Sequence, residues 1–168
     1  MALTKWEVLS AAVARWHDKQ TNDSFIAGRF ANSIGKAFAE YVGAPSAPRF
    51  FEYKPDKWDQ DRDEFVPADN GFAAVSPSLD GRWQFGLGLV LEREPNAQPQ
   101  FLFHWPVFIT LGAQPTVDVG GEDKKHSLPL LTADRKFNPE PICEAMFGFL
   151  EEMLAAEHPK AKFGFRPV

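Results

Sequence analysis

Three aspartates, Asp59, Asp61 and Asp63, alternate along a charged stretch in the spacing that wraps oxygen ligands around one calcium ion. The rest of such a loop is missing. Glu64 stands where the sharp turn needs a glycine, and Asn70 where a bidentate glutamate would close the site. The stretch therefore reads as a solvated loop in which Lys57 and Arg62 soften the repulsion, and no metal is assigned. Ser33 and Lys36 stand one helical turn apart, where a lysine can take the proton of a nucleophilic serine, but no Ser-Asp-Asn or Lys-Thr-Gly accompanies them. Gly35-Lys36 lacks the glycine spacing and the following Ser or Thr of a phosphate loop. Gly86-x-Gly88 continues as a strand, which rules out a dinucleotide fingerprint. No Gly-x-Ser-x-Gly, His-Glu-x-x-His or Cys-x-x-Cys occurs. No catalytic residue and no cofactor is assigned, and the reading leans away from an enzyme.

The remaining candidates share one face of a strand pair. Trp83, Phe85, Leu87, Leu89 and Leu91 alternate with Arg82, Gln84, Gly86, Gly88 and Val90. After a turn-rich segment, Glu94 to Pro99, the pattern returns in Phe101, Phe103, Trp105, Val107, Ile109 and Leu111. A period of two predicts two strands whose odd residues point at the core. Pro106 does not cancel the second strand, but it implies a bulge or an N–H position facing away from the neighbour. Symmetric pairing sets Gly88 opposite His104, Gly86 opposite Pro106, Gln84 opposite Phe108 and Arg82 opposite Thr110. The even face then carries a polar cluster beside a shelf without side chains, with Ala73 and Val75 small across the Asp80-Gly81 hairpin. Arg82, Gln84, His104, Phe108 and Thr110 are the candidate ligand-binding residues. Three occupants fit this face: a helix or loop that leaves His104 as a satisfied, partly buried histidine; a small ligand oriented against Phe108; or a protein partner anchored by Arg82, Phe108 and Trp58. Acting as a general base, His104 would need Asp118, Glu122, Asp123 or His126 folded back onto it by the next hairpin.

The elements that must position this face follow from periodicity and punctuation. Thr4 and Glu7 form a capping-box pair, with Leu3 and Val8 placed for a hydrophobic staple, and Trp6, Leu9, Val13 and Trp16 continue at helical spacing. The polar stretch His17 to Asp23 ends that first helix. A second spans Ser24 to Val42, with Ile26, Phe30, Ile34, Phe38 and Tyr41 on one stripe and Gly43 as its stop. Gly28, Ala31 and Gly35 form a small-residue line, for which the two tryptophans of the first helix are the expected occupants. Arg49 to Lys54 is a strand, Pro55 to Asn70 a surface excursion, and Gly71 to Ser76 a further strand leading to the Asp80-Gly81 turn. Thr116 to Val119 and Ser127 to Leu131 are shorter strand candidates flanking a Gly-Gly-Glu-Asp-Lys-Lys tip. Asn138-Pro139 opens a third helix with Ile142, Met146, Phe149, Leu150 and Met153 on its apolar face, ended by His158-Pro159. Phe163 and Phe165 then alternate as a short final edge strand.

Composition bounds the rest. The chain of 168 residues fits one domain, 1–168, with enough length to bury a core without staples. Sixteen Phe and five Trp place its apolar content in large rings. One cysteine, Cys143, excludes an internal disulfide, and Met1 to Trp16 do not resemble a secretion signal, so the expected home is the cytoplasm. No apolar run reaches the length of a membrane span. The net charge of −5 argues against affinity for phosphate backbones. Lys162-Phe163-Gly164-Phe165 is faintly similar to the aromatic strand of an RNA-recognition module, but Ala161 and Lys162 replace its basic residue and glycine. Neither nucleic acid nor a membrane is expected as a partner.

The expectation is an α+β fold: two N-terminal helices, an antiparallel β-meander of about five or six strands, and a long C-terminal helix packed on the sheet. In element order alone this resembles the helix-grip ligand-binding folds, although their leading strand has no counterpart here. The functional expectation is a non-catalytic binding or interaction protein with a protein partner. The alternative is a small-molecule carrier or enzyme using a sheet-face pocket around His104, with a small apolar or polar ligand.

Overall fold

The structure, a computed structural model, describes residues 3–59, 62–92, 100–119, 127–155 and 164–167. The expected capping box is present. Thr4 N–H donates to Glu7 Oε2 at 2.7 Å, and Glu7 N–H donates to Thr4 Oγ1 at 3.2 Å. The backbone hydrogen bond from Thr4, then the one from its side chain, holds the Glu7 carboxyl below its usual value. From this cap a single helix, α1 (Lys5–Val42), runs 38 residues to Gly43, whose positive φ of 67° turns its N–H back onto the carbonyls of Ala39 and Glu40.

One long helix thus replaces the two expected. His17 to Asp23 contains no proline or glycine, so nothing in it breaks the backbone, and Lys19 pairs with Asp23 one turn along the helix. His17 to Asp23 is instead a polar stretch between the exposed outer part of α1 and the part that packs on the body. The occupants of the small-residue line also differ from expectation. A Cβ on Gly28 would lie 2.5 Å from the Phe72 ring, and one on Gly35 would lie 2.6 Å from Phe50. Gly71 abuts Ala31 and donates its N–H to Asn32 Oδ1 at 2.7 Å. Trp6 and Trp16 are left exposed.

This close approach to α1 explains a further difference. Gly71 to Ser76, expected as a strand, forms a helical turn, α2 (Gly71–Ala74), in which Asn70 Oδ1 accepts from Ala73 N–H. The excursion from Pro55 to Asn70 likewise contains a strand. The sheet comprises β1 (Arg49–Lys54), β2 (Glu64–Ala68), β3 (Ser76–Pro77), β4 (Trp83–Glu92), β5 (Gln100–Thr110), β6 (Thr116–Asp118), β7 (Leu128–Pro129) and β8 (Gly164–Pro167). Its order is β2-β1-β4-β5-β6-β7, with β3 on β4 and β8 on β5, and every pairing is antiparallel. This is more strands, and a less sequential order, than a simple meander. Pro67 is tolerated because β2 is an edge strand.

The β4–β5 ladder has the expected register, from Trp83 opposite Ile109 to Glu92 opposite Gln100, without a bulge. Pro106 fits because its missing donor faces the outer margin of β5, between the stretch paired with β8 (Phe101–His104) and the stretch paired with β6 (Phe108–Thr110). The turn before β4 is closed by Ser78 N–H donating to Arg82 O at 2.7 Å, with Gly81 at φ 83°. The odd residues Phe85, Leu87, Trp105, Val107 and Ile109 are fully buried against the inner half of α1 and against α3 (Pro139–Ala155), which contributes Ile142, Cys143, Met146 and Leu150. The rings of Phe38 and Trp105 meet edge to face at 5.7 Å. The C-terminal boundary expected for the last helix, His158-Pro159, lies outside the described residues, as do Lys162 and Phe163. No helix among the described residues is long and apolar enough to cross a membrane.

Candidate functional site

The glycine shelf is covered. On the even face Phe51 of β1 stands opposite Gly86, and β2 brings Phe65 opposite Tyr53. Strand neighbours on one face lean into the space a missing side chain leaves, so a Cβ on Gly86 would lie 2.6 Å from the Phe65 ring and 2.9 Å from Phe51 Cβ. On Gly88 it would lie 2.8 Å from the Phe51 ring. His104 is buried under the same two rings, with centroids 4.1 Å from Phe65 and 5.5 Å from Phe51. The occupant of the shelf is therefore aromatic side chains of the sheet itself, and His104 belongs to their layer. Tyr53 continues it, 5.1 Å from Phe65 and 5.9 Å from Phe108.

The other end of the face is polar and organised around Arg82. Its guanidinium carbon lies 4.3 Å from the centre of the Phe108 ring, a cation–π contact. Nε donates to Asp80 Oδ2 at 2.6 Å, and Nη1 to Asp118 Oδ2 at 3.3 Å. Asp118 is placed here by its pairing opposite Phe108, and its other oxygen accepts from Ser127 Oγ at 3.2 Å. Burial alone would raise the Asp80 carboxyl. Hydrogen bonds from Ser78 and Arg82, with the guanidinium charge, outweigh burial and hold it below its ordinary value. Gln84 is buried, and its Nε2 donates to Tyr53 O at 3.1 Å.

An open cleft of about 650 Å3 lies against this end, between the Tyr53–Lys57 segment and the Ser76–Asp80 turn, floored by Arg82, Gln84 and Phe108. Leu79 at its edge is 97% exposed. Trp58, next to the lining residue Lys57, is 90% exposed, and the Lys57 ammonium sits 5.8 Å from its ring centre.

No family model matches the chain, and no curated protein or solved structure shows significant similarity to it.

Three of the five expected site residues, Arg82, Gln84 and Phe108, thus meet at one cleft. His104 lies further along the strand beneath Phe51 and Phe65 and is not part of the cleft lining, while Thr110 is exposed at the end of β5 opposite Thr116. Asp118, considered as a partner for His104, is engaged by Arg82 instead; Glu122, Asp123 and His126 lie outside the described residues. The calcium reading has no support in the residues described. Asp63 accepts from the Tyr53 hydroxyl at 2.6 Å and from Asp56 N–H at 2.7 Å, and Asp59 pairs with Arg62. Asp61 is outside the described residues, and among those described no three metal-ligating side chains converge. Leu79 was not singled out by sequence; a leucine within a Ser-Leu-Asp-Gly turn, where core packing has no use for it, was the available signal.

Proposed function

We propose that this is a non-catalytic binding protein whose partner, another protein, docks at the Arg82–Phe108 end of the even sheet face. One observation carries the reading: two large apolar side chains, Trp58 and Leu79, stand almost fully exposed around a cleft whose floor is already hydrogen-bonded internally. Exposed aromatic and aliphatic anchors beside an ordered, pre-satisfied floor suit the flat, desolvating contact of a protein interface. A polar small molecule would have to compete with Asp80 and Asp118 for Arg82, and with the Tyr53 carbonyl for Gln84.

A second reading is a small ligand in the same cleft, favoured by the convergence of Arg82, Gln84 and Phe108 there. The two separate in one experiment. Wild-type protein and the Trp58→Ala/Leu79→Ala variant are used as bait, and both are scanned for thermal shifts against a broad metabolite set. A specific protein retained by the wild type and lost from the variant, with no metabolite shift, supports the interface. A metabolite shift that persists in the variant and disappears in Arg82→Ala overturns it in favour of the ligand.

A further inference from the structure

We propose that two copies of this chain associate through the outer halves of α1, paired antiparallel about a two-fold axis. Every residue from Leu3 to Lys19 is exposed, so this part of the helix projects roughly 24 Å as an arm free of the body. A helix of about this length is marginal in water by itself, and it is stabilised when an apolar face is buried. The arm has such a face. Leu3, Trp6, Leu9, Val13 and Trp16 are 61 to 76% exposed, and from Trp6 onward they alternate at three- and four-residue steps. That is the seam of a helix that meets another helix.

The seam also continues an interface already built. Leu9 and Ala27, Val13 and Ala31, and Trp16 and Ile34 are each about five helical turns apart and so share a face. The inner members pack on the sheet, whereas the outer ones overhang it.

A second copy satisfies this seam because it is self-complementary when reversed. Centring the axis at the height of Ala11 sets Trp6 against the other copy's Trp16, and Leu9 against its Val13. Ser10 and Ala12 beside the axis are small and neutral, which lets the two backbones approach. The charges of the arm nearly balance, Lys5, Arg15 and Lys19 against Glu7 and Asp18, so two arms do not strongly repel. In this register Leu3 arrives opposite Lys19, at the mouth of a 380 Å3 cleft at the root of the arm, lined by Asp23, Ile26, Phe30 and Trp83 among others. The five seam side chains expose on the order of 600 Å2, close to the ~800 Å2 per partner of a stable interface.

The test is molar mass by light scattering and sedimentation from about 1 to about 100 μM, a range that spans ordinary dimer affinities. The expected mass is twice the 18.9 kDa of the chain, and Trp6→Ala/Trp16→Ala should weaken association about 100-fold or more while the body stays folded, since neither ring is in its core. Orientation is read by oxidation of Leu9→Cys and Val13→Cys variants, against a background in which Cys143 is buried. Cross-linking on mixing the two, and little by either alone, is the antiparallel result. Leu9→Cys cross-linking readily to itself overturns the arrangement. A wild-type chain that stays at 18.9 kDa overturns the association itself, whether the arm then binds lipid vesicles, another protein's helix or nothing.

Discussion

The two faces of the β4–β5 ladder are both buried, yet by different means. The odd face buries Phe85, Leu87, Trp105 and Ile109 under two helices, elements distant in sequence that supply a continuous apolar layer. On the even face, the rings of Phe51 and Phe65 lie across Gly86 and Gly88 with Tyr53 beside Phe65, and at one end an arginine is held between two carboxylates and a ring. The first arrangement relies on volume and tolerates only changes that keep it. The second relies on the absence of side chains and on paired polar groups, so it is sensitive to additions and to lost partners.

Trp105→Ala should have the largest effect, because it opens a cavity on the helix-covered face: a loss of about 3–5 kcal/mol in urea unfolding. Trp105→Phe should cost much less, since the indole Nε1 has no hydrogen-bond partner among the described residues. Equal losses in the two variants would mean that the indole nitrogen matters and that the face is not held by volume alone. On the even face, Asp118→Asn should cost about 2 kcal/mol, because Arg82 and Ser127 lose a buried charge between them. Gly86→Ala should cost about 1–2 kcal/mol by driving a methyl into Phe51 and Phe65, and a Phe65→Ala background should reduce that penalty. If Gly86→Ala is neutral, the rings are not seated on the shelf.

The smallest effect concerns acid. Asp80 has its folded value below the ordinary one, so its stabilising contribution is complete above the usual carboxylate range and is lost as pH falls through that lower value. Because Asp80 is about half exposed, Asp80→Asn should flatten only the acid end of the stability–pH curve, measured by urea midpoints below about pH 4.

The same contrast explains what could be read from the sequence. The register of β4 on β5 was legible because both strands alternate strictly and the connection between them is short enough for symmetric pairing. The even face was recognisable as a place where core packing stops, but its cover was not, since it depends on where β1 pairs with β4, a contact that no local pattern specifies. β2 is not legible from the pattern because Glu-Phe-Val-Pro-Ala is short and carries a proline, which an edge position permits. At His17 to Asp23, the lapse of the apolar pattern predicts the end of a helix, whereas the backbone runs on unbroken from Lys5 to Val42; a polar stretch without proline or glycine interrupts the stripe and not the helix. Arg82, Gln84, Phe108 and His104 share a face, which alternation makes legible, but only the first three line one cleft, which alternation does not specify.

Pro106 has one further consequence. The outer margin of β5 holds β8 over Phe101–His104 and β6 over Phe108–Thr110, and of the three residues between the two stretches the middle one, Pro106, offers no donor to join them. The two strands are secured separately to a common backbone, so the margin can open at one end while the other stays closed. Amide exchange should accordingly divide the outer-margin amides of β5 into two groups that meet at the proline, while those facing β4 exchange as one unit along its unbroken ladder.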